Sequence, residues 1–300
     1  LKLVTYERGG RRAGLLINER IYDIENTASF LHLEGGYPSD LIDIIASRDL
    51  GDLKTLARRI KELDKGGEDL PLQCWASVEE VQFHAPVPRP GKIICLGLNY
   101  KDHAKEQDAK IPDKPLLFVK ASTSTIGHGQ AIVIPEGSSK VDFEAEFAFV
   151  IGREIRDADA ALAQDAIFGY TCMNDVTERE MQQSERQWFR GKSPDTFAPM
   201  GPCIVTADEL SNVSSLSVSS KLNGELMQLS STSNLIFTPA EIIKFITRTM
   251  TLEPGDVIST GTPGGVGVFR EPPVFMKDGD VIEVIIEGIG TLSNPVEAKR

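Results

Sequence analysis

Between Asp142 and Ile151 the chain alternates with a period of two. Phe143, Ala145, Phe147, Phe149 and Ile151 fall on one side, and Asp142, Glu144, Glu146, Ala148 and Val150 on the other. That is β-strand patterning. Other apolar, β-branched runs predict strands over 3–6, 13–17, 81–84, 93–96, 166–172, 203–205, 216–222, 256–259 and 281–286, separated by Gly, Pro and Asp turns. Three stretches have helical spacing instead. Over 39–46, Ser39 or Asp40 can cap a face of Leu41, Ile42, Ile44 and Ile45, and over 53–63 Leu53, Leu56, Ile60 and Leu63 recur at three and four residues. The third spans 239–247, with Ile242, Ile243 and Ile246. Pro86, Pro88 and Pro90 before Gly91 interrupt both patterns and predict a linker at 86–91. The expected organisation is a small N-terminal α/β domain over 1–85 and a large, mainly β domain over 92–300, α+β overall.

Charge narrows the function classes. The 44 Asp and Glu outnumber the 32 Lys and Arg, for a formal net charge of -12, which disfavours nucleic acid and anionic membrane as partners. No apolar run approaches the roughly 20 residues that cross a bilayer. Cys74, Cys95, Cys172 and Cys203 form no CxxC pair, a usage that fits reduced thiols in a cytoplasm. A chain opening at Leu1 rather than Met leaves room for a targeting segment upstream.

The chemistry concentrates in carboxylates. Glu144 and Glu146 share a strand face that continues as Ala148 and Val150. On a solvated edge they would be ordinary surface groups. On an apolar face, two carboxylates roughly 7 Å apart need positive charge between them, and a hard divalent cation supplies it. Asp175 follows the apolar run 166–172 and is either a third ligand or the N-cap of the charged stretch after it. His103 and Glu106 are three apart and share a face on a helical turn, as a base with its orienting carboxylate or as an exposed polar face. Gly261–Gly267 matches neither nucleotide-binding glycine pattern. Its glycines can bring backbone N–H groups up to a carboxylate, with Thr262 adding a hydroxyl, or simply make a tight loop.

Five segments occur in order: Asn99–Glu106, Glu144–Glu146, Asn174–Arg179, Gly191–Thr196 and Thr260–Gly267. Together they resemble the fumarylacetoacetate hydrolase superfamily over about residues 90 to 298. The resemblance implies a mixed β-roll catalytic domain in a homodimer, with Mg²⁺ or Mn²⁺ held at Glu144, Glu146 and Asp175. It implies catalytic roles for His103, Glu106 and Lys192, and substrate contacts from Tyr100, Arg179, Gln182, Gly261 and Thr262. Members hydrolyse acylpyruvates, decarboxylate or tautomerise oxaloacetate, or isomerise dienoic 2-oxo acids through a metal-stabilised enolate. The leading expectation is cleavage of a C–C bond in a 2-oxo acid, with tautomerisation or isomerisation second. A non-catalytic metal-binding β module is the rival of another class. Asp175, Arg179 and Gln182 would share a helix face, Arg179 otherwise pairing with Glu178 or Glu180, and Lys192 would otherwise be a surface lysine. The polar stretch 106–114 is expected to serve as a lid. Leu98 stands where many relatives carry a basic or polar residue, and Glu178 and Glu180 are more acidic than usual.

Overall fold

The computed structural model describes residues 1–184 and 187–299. Sheet dominates and helices are a minority, in agreement with the expected α+β class. A 12-stranded sheet runs Trp75–Ser77, Arg20–Asp23, Arg11–Ile17, Lys2–Glu7, Ala198–Thr206, Ile167–Asn174, Ala145–Ile151, Val257–Ser259, Ile93–Gly97 and Leu116–Lys120, with two short strands joined at the side. Strands before the proline-rich stretch thus continue the sheet formed after it, through the antiparallel pairing of Lys2 with Val205 and Leu3 with Ile204. A second, five-stranded sheet contains Glu225–Ser231, Ser217–Leu222, Val281–Ile286, Gly290–Ala298 and Ile132–Ile134.

The alternation predicted over 142–151 forms one strand only over Ala145–Ile151, with a core on each side of it. Phe147, Phe149 and Ile151 pack with Tyr170, Ile242, Ile246, Val284 and Ile286. Ala148 and Val150 face Leu41, Ile45, Leu53 and Leu56 of the N-terminal helices. All seven residues of Ala145–Ile151 are buried, so the strand carrying Glu146 has no solvated face. Burying each Phe ring contributes about 2–3 kcal/mol, which makes this strand a rigid base for polar groups at its end.

Local rules explain the helices. Asp40 caps Leu41–Ser47 by accepting from the Ile42 N–H. Pro239–Thr247 opens with a capping box between Thr238 and Glu241, with Pro239 in its first turn. Gly51–Gly66 ends on Gly67 in the left-handed region. Elements the pattern does not predict include Ile24–Phe30, Leu116–Lys120, Glu225–Ser231 and Gly290–Ala298. The last contains Pro295 and polar residues, yet it pairs on both edges. One expectation is corrected: the helix after Asp175 begins only at Arg179, beyond the short strand Thr177–Glu178. Asp175 therefore neither caps that helix nor shares a face with Arg179 and Gln182.

Candidate active site

Strand register assembles the carboxylates. Ala145 pairs with Asn174 across the antiparallel strands, so the flanking residues Glu144 and Asp175 meet at the sheet end. The Asp175 N–H donates to the Glu144 carbonyl at 2.9 Å, and the Glu144 N–H to Asn174 Oδ1 at 3.0 Å. Glu146 lies two residues along from Glu144 on the same face. The result is three buried carboxylates whose oxygens lie within 4.8 Å of one another.

Cations from three other elements converge on them. Lys192, at the end of helix Trp188–Lys192, donates to Glu144 Oε2 at 2.7 Å and Asp175 Oδ2 at 2.6 Å. Lys120, on the edge strand, donates to Asp175 Oδ1 at 2.5 Å. Arg179 places Nη2 2.7 Å from both Asp142 Oδ2 and Glu144 Oε1, without an aligned hydrogen bond to either. Burial opposes ionisation of Glu144, but Lys192 and Arg179 outweigh it and hold its carboxyl low. Glu146 goes the other way: burial, then repulsion from Asp175 and Glu144, raises its carboxyl well above the ordinary range. Burial also works against the Lys192 ammonium, yet Asp175 and Glu144 keep it protonated, with its pKa pushed up to about 12.

These residues fit a hard divalent cation. The donors are all oxygen, and four buried carboxylates (Asp142, Glu144, Glu146, Asp175) face three buried cations (Lys120, Arg179, Lys192). The most raised carboxyl sits among like charges that a cation would neutralise. Ser259 donates its hydroxyl and Gly261 its N–H (3.0 Å) to one Glu146 oxygen, Oε2, which fixes the group.

Above the carboxylates opens a cavity of about 480 Å³. Of the predicted site residues, His103, Glu144, Arg179, Gln182, Lys192 and Thr262 line it. Glu106, Glu146, Asp175 and Gly261 stand one contact behind. Helix Lys101–Glu106 puts His103 Nδ1 3.0 Å from Glu106 Oε2, and Gln107 Nε2 lies 2.6 Å from His103 Nε2. With Nδ1–H given to Glu106, Nε2 is the acceptor and the basic atom. Tyr100 is 0% exposed and absent from the cavity wall, and it forms an isolated β-bridge with Leu235.

The glycine-rich loop does bring N–H groups to carboxylates, but they are the protein's own. Gly261 serves Glu146, Gly265 serves Glu106 at 2.9 Å, and Gly267 serves Asp142 at 2.8 Å. Gly261 has φ +90, and a Cβ there would lie 3.0 Å from the Leu96 carbonyl, so glycine is required. Sequence reasoning missed Lys120, Asp142, Gln228 and Phe269. Gln228 donates to Thr262 Oγ1 at 2.8 Å and accepts from the Ala145 N–H at 3.0 Å, which ties the loop to the strand. Only Asp142 left a signal, being in phase with Glu144 and Glu146.

Comparison with known proteins gives the family. The fumarylacetoacetate (FAA) hydrolase C-terminal family matches residues 92–297, and the chain belongs to that family. Its fold is that of a fumarylacetoacetate hydrolase from the psychrophile Exiguobacterium antarcticum, at 37% identity and TM-score 0.80 over 99% of both chains. A 2-hydroxyhepta-2,4-diene-1,7-dioate isomerase from Mycobacterium marinum matches at 32% identity and TM-score 0.74, over 100% of this chain and 99% of its own. Over 99% of its length the chain is also 40% identical to the whole of oxaloacetate tautomerase YisK from Bacillus subtilis. Homologues are therefore enzymes acting on small acids, and among the described residues no helix is long and apolar enough to cross a membrane.

Proposed function

We propose that the chain is a divalent-metal-dependent tautomerase of 2-oxo acids, with oxaloacetate as the first substrate to test. The observation that carries this is the convergence of Glu144, Glu146 and Asp175 within 4.8 Å beneath a cavity that also holds His103. Tautomerisation takes precedence over C–C cleavage because the full-length relative bears that activity in its name.

Glu144, Glu146 and Asp175 would hold Mg²⁺ or Mn²⁺. Once bound, the ion supplies positive charge for the substrate's carboxylate and keto oxygens and makes the C3 proton more acidic. Tautomerisation moves one proton from C3 to the C2 oxygen, with no change in composition. His103 Nε2 takes the C3 proton, Gln107 having released that nitrogen, while Glu106 holds the ring and offsets the imidazolium charge. Lys192 and Arg179 face negative charge developing on the C2 oxygen. Lys192, kept protonated by Asp175 and Glu144, acts as a cation and hydrogen-bond donor rather than a base, and the proton taken up by His103 is the one returned to the C2 oxygen. Thr262, its hydroxyl fixed on the Ala145 carbonyl at 3.1 Å, bounds the substrate on the loop side.

C–C cleavage by decarboxylation of oxaloacetate to pyruvate and CO₂ is the second reading, favoured by the same Lys192 and Arg179, which would equally face the enolate left when CO₂ departs. One experiment separates the two. Enol absorbance and pyruvate release are followed together on oxaloacetate with Mn²⁺ or EDTA, for wild type and Glu144→Ala. Enol–keto exchange that needs Mn²⁺ and Glu144, without matching pyruvate, supports tautomerisation. Matching pyruvate favours cleavage, and exchange indifferent to both metal and Glu144 sinks the proposal.

A further inference from the structure

We propose that Asp142 is a positioning residue that couples the charged end of the cavity to its aromatic wall and so sets how closely His103 is covered. In its kinetic consequence this rests on the 2-oxo acid activity proposed above.

Asp142 is 0% exposed and touches no cavity space. Its carboxylate nevertheless holds two cavity walls. Oδ2 accepts from Arg179 Nε at 2.8 Å and from the Val268 N–H at 3.0 Å. Oδ1 accepts from the Gly267 N–H at 2.8 Å and the Phe143 N–H at 2.9 Å. Arg179 in turn reaches Gln182 through Nη1 at 3.1 Å and lies beside Glu144. On the other side, the 3₁₀ turn Gly267–Phe269 carries Val268 and Phe269 into the cavity lining. The Phe269 ring sits edge-on to His103, centroids 5.9 Å apart. Phe269 is 47% exposed, so little of its own packing fixes it; the turn beneath it does. A Cβ on Gly267 would lie 1.9 Å from the Val274 carbonyl and 2.5 Å from Asp142 Oδ1. Glycine at that position is what lets the turn sit down on the carboxylate.

A carboxylate is needed because every group facing it is a donor. Asp142→Asn keeps the shape but turns one acceptor oxygen into an NH₂, which must face either Arg179 and Val268 or Gly267 and Phe143. One wall then loses its anchor.

The test labels the four histidines with diethyl pyrocarbonate, read peptide by peptide by mass spectrometry on the full chain without substrate. Asp142→Asn and Phe269→Ala should each raise the His103 rate several-fold, and the double variant should rise no further than the larger single effect. His32 and half-buried His128 should keep their wild-type rates. In the kinetic arm, Asp142→Asn should lower kcat/KM for oxaloacetate by up to about 100-fold, the scale of a misplaced active-site group. A His103 rate unchanged in Asp142→Asn, or rising in step with His128, overturns the proposal: the first denies the coupling, and the second makes Asp142 merely structural. Should Asp142→Asn not fold, Val268→Pro removes one turn donor while leaving the carboxylate and Arg179 in place, and the same criteria apply. A wild type inactive on oxaloacetate overturns the substrate reading instead, while His103 labelling still decides the role of Asp142.

Discussion

Ser259 touches no cavity space, yet its hydroxyl and the Gly261 N–H meet on one oxygen of Glu146. Removing such a support from a metal ligand typically costs 10–100-fold in affinity, so Ser259→Ala should weaken Mn²⁺ binding by about that factor in calorimetry. Unchanged affinity would mean that Glu146 is not held for a metal. Far from the site, Asp23 lies under the N-terminal strands with Arg12, the Asn26 N–H and the Tyr6 hydroxyl all donating to it. Burial pushes its carboxyl up, but these partners together outweigh burial and hold it below the ordinary value. A depressed folded pKa stabilises fully above the unfolded value of about 3.9, and that contribution is lost as pH falls through the folded value. Asp23→Asn should therefore cost about 2 kcal/mol at pH 7 in urea melts, with the gap to wild type narrowing in acid below about pH 4. An equal gap at both would rule out the linkage. At this scale the sequence was informative where chemistry had a period. Glu144, Glu146 and even Asp142 are in phase along the alternating run 142–151, though only Glu146 lies within strand Ala145–Ile151, whereas Lys120 sits on an edge strand with no pattern pointing to it. The burial of Tyr100 was not legible, because a motif position carries no information about burial.

Single elements do separable jobs. Thr238 and Glu241 form the box that starts helix Pro239–Thr247, whose Ile242, Ile243 and Ile246 close the core under Phe149. Thr238→Ala should cost about 1 kcal/mol of stability while leaving any enzyme activity intact, as thermal melts and assays on one preparation would show. The glycine loop behaves oppositely. Gly261→Ala forces a Cβ into a φ of +90 beside the Leu96 carbonyl, and it should abolish Mn²⁺ binding out of proportion to any loss of stability. Intact binding would uncouple the loop from the metal site. The capped helix was legible to its ends because cap, proline and apolar face agree. Strand Gly290–Ala298 was not, because its Pro295 and polar residues contradict strand propensity and only pairing on both edges holds it.

At the scale of the molecule, the first 85 residues share a sheet and a core with the rest. Lys2–Glu7 pairs with Ala198–Thr206, and Leu41, Ile45, Leu53 and Leu56 cover Ala148, Val150 and Val257. A chain starting at residue 86 would bare that face and an open sheet edge. It should be recovered insoluble or without cooperative melting, while the full chain unfolds in one transition by both fluorescence and circular dichroism. A soluble, cooperatively melting 86–300 fragment would mean that the shared core is dispensable. The proline-rich segment reads as a boundary because it breaks every local pattern, and local patterns are silent on strand pairing more than a hundred residues apart. Sheet class and strand content were legible; the continuity of the sheet was not.

The most direct test of the account is oxalate binding, measured by titration calorimetry with Mn²⁺ or EDTA, for wild type and Asp175→Asn. Wild type should bind oxalate only with Mn²⁺ present, and that binding should disappear in Asp175→Asn. Binding that survives EDTA, or persists undiminished in Asp175→Asn, would contradict a metal held by these carboxylates as the seat of 2-oxo acid recognition.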